Sequence, residues 1–457
     1  MIWTIPDILQ VLAYSALGSL VAFPLLWLNV TWAPRLGLID WPKARGVAEE
    51  QIPIIGHSIV LLTFFCMIWL FGNADGEWLI VTSGIIGMMG FLDDRRPLSA
   101  VEKLMLQVIC VSVLVTMDPR IQENYVEEYG IWGGIWAGIF IIGLTNAVNF
   151  IDGIDGLAGM VISFGCLGLI LVNPLGFGPF ALFGALVLGM IAPFLYLNVM
   201  KRKGFMGNVG SYFFAYVLAT FHLYLPIGAH DPLSRVCMSA LCFLIPMADS
   251  IMVVISRMSS LRSPFSADKG HLHHRLIQTS IPLRYVLLNF GIIESFALAI
   301  SFVVATTATG RNTVLPIVLC VSHVSITSIL ILLVEKASRR RIQNYFQRLD
   351  SGEPIYFMKY KLSRRDGSPI SSWNMARIEA TVCAEVRVTD LCFSQGDELY
   401  ITVRSGPHPF QGMTARLERI FDAEQVRTDL IVEQGELVKV SRRKTTEPPK
   451  KEVRISA

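Results

Sequence analysis

The stretch that decides the fold runs from residue 156 to residue 200 and reads GLAGMVISFGCLGLILVNPLGFGPFALFGALVLGMIAPFLYLNVM, without a charged side chain. Its middle contains Asn173, Pro174, Gly176, Gly178 and Pro179, residue types that end helices. A bilayer core of about 30 Å takes about 20 apolar helical residues to cross, because only a helix or closed barrel satisfies its own backbone in lipid. The stretch therefore predicts two membrane-spanning helices joined by a turn.

Similar apolar runs lie on both sides of this stretch. Runs without Asp, Glu, Lys or Arg occupy residues 8–30, 52–72, 131–151, 204–228 and 312–334. Shorter runs occupy 78–92 and 103–117, and runs with a single acid occupy 235–256 and 285–305. The sequence thus predicts an all-α polytopic membrane protein with about 11 transmembrane helices.

The composition divides the chain into two unlike parts. Of its 457 residues 53% are apolar and only 16% are charged, against about 25% charged in a soluble domain. This deficit excludes a disordered chain, a fibre and an ordinary cytosolic enzyme. Residues 1–335 carry a net charge of −3 and residues 336–457 one of +6, so the multi-span domain is predicted to end near residue 335.

The C-terminal part is predicted to hold a small cytoplasmic α+β domain over residues 336–440. Alternating patterns in ATVCAEVRVTDLCF and ELYITVRSG indicate strands, as does TDLIVEQGELVKV, and an amphipathic helix is expected near residues 413–423. Residues 441–457 are highly charged and are expected to form a disordered tail. The role of the whole C-terminal part stays open among regulation, partner docking and oligomerisation.

Basic side chains distinguish the two ends of the predicted spans. With the spans alternating across the bilayer, 14 Lys and Arg residues fall on one side, and only Arg120, Arg235 and Arg311 fall on the other. Basic residues collect in cytoplasmic loops. The sequence therefore predicts an N-terminus outside and a C-terminal part in the cytoplasm.

Two polar clusters lie at predicted helix ends on the cytoplasmic side. Asp93 and Asp94 follow the third span in GFLDDRRPLSAVEKLMLQ, where a solvated helix terminus neutralised by Arg95 and Arg96 is an equally good interpretation. The turn KRKGFMGNVGS, before the eighth span, is basic and rich in glycine. Backbone amides of such a turn can bind anionic oxygens, so a phosphate-binding segment is expected there.

A third cluster is the polar stripe in TNAVNFIDGIDGLAG, residues 145–159. Asn146, Asn149, Asp152 and Asp155 recur at every third residue and would share one face of a helix. The interspersed glycines predict that this helix loosens or that something approaches its backbone closely. A helix end followed by an Asx-rich turn is the alternative.

The fourth cluster is the loop SPFSADKGHLHHRL, residues 263–276, after the ninth span. Its three histidines could bind a metal ion, but a hard cation such as Mg²⁺ prefers oxygen ligands. Imidazoles beside Lys269 and Arg275 are better suited to donate to phosphate oxygens, and a basic loop contacting lipid headgroups is the alternative. Together the four clusters predict a site for a diphosphate and a divalent cation beside a lipid.

These motifs resemble the polyprenyl-phosphate N-acetylhexosamine-1-phosphate transferases, glycosyltransferase family 4, which include WecA and, more distantly, MraY. The resemblance covers about residues 35–276, with DWPKAR and the four clusters in the same order, and the His-x-His-His-Arg form is similar to the WecA branch. It implies transfer of N-acetylhexosamine 1-phosphate, with GlcNAc-1-phosphate as the expected group, from a UDP-sugar to undecaprenyl phosphate. UMP would be released, and the product would start a cell-surface polysaccharide.

The resemblance also implies roles for particular residues. The expected catalytic acids are Asp93, Asp94, Asp152 and Asp155. The residues expected to bind substrate are Arg45, Lys103, Asn146, Lys203, His271, His273, His274 and Arg275. The family's cofactor is Mg²⁺ or Mn²⁺, with Asn149 and Asn208 as its expected ligands.

The expected nucleophile is the lipid phosphate itself. The second pKa of a phosphate monoester is about 6, so this group is mostly a dianion at neutral pH. Positioning and charge neutralisation then account for most of the catalysis. Whether an aspartate adds general base catalysis or forms a covalent intermediate stays open.

The chain departs from the family pattern at Asn208, where the motif has Asp, and in the first loop at Gly46, Ala48 and His57. Loss of the charge at residue 208 should weaken metal binding by about one to two orders of magnitude. A catalytically impaired relative that acts as a membrane scaffold, or the same reaction with a different UDP-sugar, is therefore the alternative.

The expected partners are a UDP-sugar, undecaprenyl phosphate and the bilayer. No nucleic acid is expected, and a homodimer is left open. The expected location is the bacterial inner (plasma) membrane, with the active site in the cytoplasm.

Overall fold

The fold is taken from a computed structural model that describes most of the predicted multi-span part. The described residues there are 4–36, 39–40, 52–72, 76–172, 178–201, 203–225, 237, 239–259 and 283–307, with single helical positions between 318 and 329. In the C-terminal part they are 356–364, 392–395, 398–403 and 426–432, with the helical positions 375, 378, 382, 417 and 421.

Helices dominate the described residues up to 307. The helices are α1 Ile5–Leu36, α2 Gly56–Phe71, α3 Glu77–Arg95, α4 Ala100–Met117, the short α5 Pro119–Ile121, α6 Glu127–Ile151, α7 Leu157–Leu171, α8 Pro179–Leu195, α9 Gly207–Tyr224, α10 Leu244–Ser259 and α11 Leu283–Thr307. Two π-helical segments, Gln122–Val126 and Tyr196–Met200, precede α6 and follow α8. Two short strands, β1 Ile39–Asp40 and β2 Ile52–Pro53, pair antiparallel.

Every predicted span up to residue 305 coincides with one of these helices, whereas the predicted span 312–334 lies largely outside the described residues. Five described segments are long and apolar enough to cross a membrane: Ile5–Ala33, Ala100–Met117, Pro119–Ile151, Pro179–Met200 and Val286–Val303. Large apolar side chains on the outer faces of α1 to α4 are exposed, as expected for helices that contact lipid. The protein is an all-α polytopic membrane protein in its N-terminal part.

Small residues allow α1 to pack closely along α8. The hydroxyl of Ser15 donates to the carbonyl of Ala185 at 3.0 Å, and that of Ser19 donates to the carbonyl of Gly189 at 2.7 Å. A Cβ atom at Gly189 would lie 2.0 Å from the Ser15 carbonyl oxygen. Close backbone approach with hydroxyl hydrogen bonds is typical of helix pairs in membranes.

One helix begins deep inside the bundle. The first amides of α10 have no partner within their own helix, and Glu294 of α11 accepts them at 3.3 Å from Leu244 N and 2.8 Å from Ile245 N. Glu294 is 0% exposed. The sequence suggests no side-chain partner for Glu294, because this acid binds backbone amides.

The chain divides into two compact units, and the second consists of Pro42–Glu49, Arg275–Val286 and Ile331–Ala457. Within it, β3 Tyr356–Arg364, β4 Cys392–Gln395, β5 Glu398–Val403 and β6 Val426–Val432 form an antiparallel sheet in the order β4-β5-β3-β6. Helical positions occur between β3 and β4 and between β5 and β6.

Candidate active site

The candidate site is formed where α3 ends and α9 begins, beside the turn that follows α6. Asp93, in the last turn of α3, is 6% exposed. Its carboxylate accepts hydrogen bonds from Leu98 N at 2.8 Å and from Lys103 Nζ at 3.1 Å. Lys103, predicted to bind substrate, therefore neutralises a buried acid and fixes the turn between α3 and α4.

Asp94 binds the first amides of α9. Its carboxylate accepts hydrogen bonds from Asn208 N at 2.8 Å and from Val209 N at 3.1 Å. A carboxylate at a helix N-terminus satisfies orphan amides and interacts favourably with the helix dipole. Asp94 therefore occupies two of the backbone amides that the predicted phosphate-binding segment could offer to a ligand.

Two glycines make this contact between α3 and α9 possible. Gly207 has a φ of +75°, and a Cβ there would lie 2.4 Å from Cγ2 of Ile54 and 2.9 Å from Oδ2 of Asp94. A Cβ at Gly90 would lie 2.6 Å from the carbonyl oxygen of Asn208. The two positions therefore require glycine if Asp94 is to reach the start of α9.

The segment before α2 is tied to the segment before α9. Ile54 and Phe205 form a parallel bridge, with Phe205 N donating to Pro53 O at 3.0 Å. Nδ1 of His57 lies 3.0 Å from Ile54 O, so it carries the proton and donates, and Nε2 lies 3.9 Å from Oδ2 of Asp94. Sequence reasoning gave His57 no role, yet it contacts the site.

Two amide pairs connect the site to α4 and α6. Asn146 donates to Oε1 of the buried Gln107 at 2.6 Å. Nδ2 of Asn149 donates to Oδ1 of Asn208 at 2.9 Å and to Oγ of Ser211 at 2.9 Å. The structure thus brings the two predicted metal ligands together, although the Asn208 oxygen already accepts a hydrogen bond from Asn149.

The polar stripe is not one continuous helix. Asn146 and Asn149 lie on α6, but that helix ends at Ile151, and residues 152–156 form a turn in which Gly156 has a φ of +84°. The prediction of a four-residue helical face is therefore wrong in its second half, because glycines at 153 and 156 favour a turn over another helical turn.

Asn198 holds this turn in place, a role that sequence reasoning missed. It lies in the π segment after α8 and is 4% exposed. Its oxygen accepts from Gly156 N at 2.6 Å, and its amide donates to Gly204 O at 2.8 Å and to Oδ1 of Asp155 at 3.4 Å. An asparagine three residues before the predicted phosphate segment was the available signal.

The carboxylates around the turn repel one another. Burial, followed by the charges of Asp94 and Asp155, raises the pKa of Asp152 well above its usual range. A site that gathers acids at this cost needs a cation or a proton to offset them. Among the described residues, no group of three or more His, Cys, Asp or Glu side chains is placed to hold a metal ion, so carboxamide oxygens would have to contribute to a cation site.

The remaining predicted site residues do not all meet here. Nζ of the exposed Lys203 lies 5.3 Å from the ring centre of Trp27 on α1. The residues that lie outside the described part of the chain are Arg45, His271, His273, His274 and Arg275.

Comparison with known proteins identifies the family and covers the helices that carry the candidate site. The model of glycosyl transferase family 4 matches residues 78–226, which include Asp93, Asn149, Asp152 and Asn208. A protein of Bacillus subtilis, named as a probable undecaprenyl-phosphate N-acetylglucosaminyl 1-phosphate transferase, is 30% identical over 61% of this chain and 80% of its own length.

Two further relatives have related names. A protein of Yersinia pestis, named undecaprenyl-phosphate alpha-N-acetylglucosaminyl 1-phosphate transferase, is 27% identical over 57% of this chain and 75% of its own length. A Mycobacterium tuberculosis protein, named decaprenyl-phosphate N-acetylglucosaminephosphotransferase, is 29% identical over 56% of this chain and 73% of its own length. With this extent of similarity and these shared motifs, the chain belongs to glycosyl transferase family 4 and is a WecA-like phosphotransferase.

Proposed function

We propose that this enzyme transfers GlcNAc-1-phosphate from UDP-GlcNAc to undecaprenyl phosphate and releases UMP. The observation that carries the proposal is the meeting of Asp94, Asn149, Asp152 and Asn208 at one end of an apolar helix bundle. The names of the relatives support the donor sugar and the lipid acceptor. In a bacterium the product would start a cell-surface polysaccharide.

In this reaction a lipid phosphate oxygen attacks the phosphorus that carries the sugar. The new P–O bond forms as the bond from that phosphorus to the UMP oxygen breaks, and UMP leaves with the electron pair. The nucleophile needs no activation, since a phosphate monoester is mostly dianionic at neutral pH. The main task of the protein is therefore to hold two anions in line against their repulsion.

A divalent cation, Mg²⁺ or Mn²⁺, is part of the proposal. Its chemistry when bound is to neutralise phosphate oxygens. The side-chain oxygen of Asn149 and the carboxylate of Asp152 fit a cation that prefers oxygen ligands, since Asn149 uses its nitrogen toward Asn208 and Asp152 has acidic neighbours. Asp155 then adds negative charge beside Asp152, and Asp94 positions the start of α9.

The other predicted residues keep proposed roles. Arg45, Lys203, His271, His273, His274 and Arg275 supply positive charge and donors for the two substrates, and Asn146 orients α6 through Gln107. Asp93, with Lys103 as its partner, fixes the start of α4 beside the acceptor.

The proposal extends to topology. We infer about 11 spans, an N-terminus outside, and the site in the cytoplasm at the bacterial inner membrane. We infer that residues 336–440 form a cytoplasmic α+β accessory domain, with the order strand–helix–strand–strand–helix–strand, followed by a disordered tail. Whether the protein forms a homodimer is left open.

The test is release of UMP from UDP-GlcNAc by the purified full-length protein with undecaprenyl phosphate and Mg²⁺. The matched control replaces Asp152 with Asn, which keeps the shape and removes the charge, and a loss of turnover of about a hundredfold is expected. A folded wild-type protein that releases no UMP from any UDP-N-acetylhexosamine would contradict the proposal and favour the scaffold alternative.

A further inference from the structure

The side chain of Asn208 has a fixed orientation in the first turn of α9. The hydroxyl of Ser211 donates to Gly207 O, one turn earlier, at 3.1 Å, so its oxygen is left as an acceptor. Nδ2 of Asn149 donates to this oxygen and to the facing atom of Asn208, both at 2.9 Å. An amide nitrogen only donates. The atom of Asn208 that faces Asn149 is therefore its oxygen.

This orientation turns the nitrogen of Asn208 away from Asn149. In a carboxamide the oxygen and nitrogen lie on different sides of one carbon, so Nδ2 points away from Asn149, and Asn208 as a residue is half-buried. Among the described residues no protein group accepts a hydrogen bond from it. On the side that points away from Asn149, Asn208 therefore offers two N–H donors. Such donors cannot bind a cation.

The donors themselves suit an anion, although the nearby acids Asp94 and Asp152 must be offset by a divalent cation for one to bind. Nδ2 lies at the N-terminus of an 18-residue helix, where the helix dipole attracts negative charge. The carboxylate that interacts with this terminus, Asp94, approaches from the backbone side through Asn208 N and Val209 N. An oxygen of a diphosphate would accept from Nδ2 and share the same favourable field.

We propose that Asn208 donates a hydrogen bond to a diphosphate oxygen of the nucleotide substrate and does not bind the divalent cation. This rests on the proposed function and changes the expected role of Asn208. Asn149 and Asp152 then contact the cation without it. Aspartate at residue 208 would reverse the preference, since one oxygen would accept from Asn149 and the other would repel the diphosphate and attract the cation.

The experiment measures two affinities separately on the purified full-length protein. Mn²⁺ binding is followed by electron paramagnetic resonance without nucleotide, and UDP binding by calorimetry at saturating Mg²⁺. For Asn208→Ala we expect UDP affinity to fall about tenfold or more, as for loss of a hydrogen bond to a charged group, while Mn²⁺ affinity stays within about twofold. Asn124→Ala, in the π segment before α6, is the matched control and should leave both affinities unchanged.

Asn208→Asp is the control for misfolding, because aspartate has the same shape as asparagine and keeps an acceptor for Asn149. It should weaken UDP binding and strengthen Mn²⁺ binding by about tenfold each, a pair of opposite changes that misfolding does not produce. Weaker Mn²⁺ binding with unchanged UDP binding in Asn208→Ala would overturn the inference, as would two unchanged affinities. If the wild-type protein binds no UDP, the proposed function fails and this inference with it.

Discussion

Two helices of this protein begin in the same way but in different surroundings. Asp94 of α3 accepts two backbone amides at the start of α9, and Glu294 of α11 accepts two at the start of α10. Near Asp94 lie another acid, Asp152, and the Asn149–Asn208 amide pair. Glu294 is fully buried and binds backbone alone among the contacts described for it.

The comparison teaches how to interpret an acid inside a membrane bundle. Acids there are rare and are commonly assigned to function, but the first amides of a helix need acceptors just as much. Glu294 meets that structural need. Asp94 meets it too, and it also fixes a helix start that carries a site residue, so the two acids should respond differently to substitution.

The largest expected effect is on turnover. Asp94→Ala should lower UMP release about a hundredfold, the upper range for loss of a group that orients a site residue, because the start of α9 and Asn208 would lose their anchor. Glu294→Ala should lower turnover per folded molecule less than about fivefold. Initial rates, normalised to folded protein, check this, and equal losses in the two variants would erase the distinction.

The next effect is on stability, where the order should reverse. Glu294→Ala leaves two buried amides unpaired at about 1–3 kcal/mol each, so the free energy of unfolding should fall by about 2–6 kcal/mol. In Asp94→Ala, nearer the end of the bundle, water can replace part of the lost hydrogen bonding. Thermal unfolding in detergent measures both, with Glu294→Gln as a control that keeps one acceptor.

A third test concerns the glycine beside Asp94. Gly207→Ala and Gly130→Ala both place a side chain at positive φ, which costs about 1–3 kcal/mol. A Cβ at Gly130 meets nothing within 4 Å, whereas one at Gly207 overlaps Ile54 and Asp94. Only Gly207→Ala should therefore reduce turnover, by about tenfold. Similar turnover in the two variants would show that α9 can shift without consequence.

The smallest expected effect is on pH dependence. Because burial and the charges of Asp94 and Asp155 raise the pKa of Asp152, this acid takes up a proton at a higher pH than an ordinary carboxylate as the pH falls, and Mn²⁺ binding should be lost with it. Asp155→Asn removes one negative neighbour and lowers the pKa of Asp152. The acid limb of Mn²⁺ binding should move down by about half to one pH unit, and an upward shift would contradict this.

The positions of the helices could be predicted because uncharged runs of the right length have few alternatives in a membrane protein. The grouping of Asp94, Asn149, Asp152 and Asn208 was also expected. Their pairing was not, since the hydrogen bond from Asn149 to Asn208 joins residues 59 positions apart and depends on how α6 packs against α9.

Other features had a weak local signal, such as the glycines after α6, or none. The end of α6 at Ile151 competes with a regular three-residue pattern that continues through Asp155. Glu294 had no visible partner, because backbone amides are present at every position and none is marked in the sequence.

The π segment Tyr196–Met200 limits how this protein can vary in evolution. Each residue added to or removed from a helix rotates the downstream residues by about 100°. An insertion or deletion there would therefore break the hydrogen bond between Asn198 and Gly156 or the bridge between Phe205 and Ile54. Length changes between natural variants should therefore be excluded between Leu195 and Gly207.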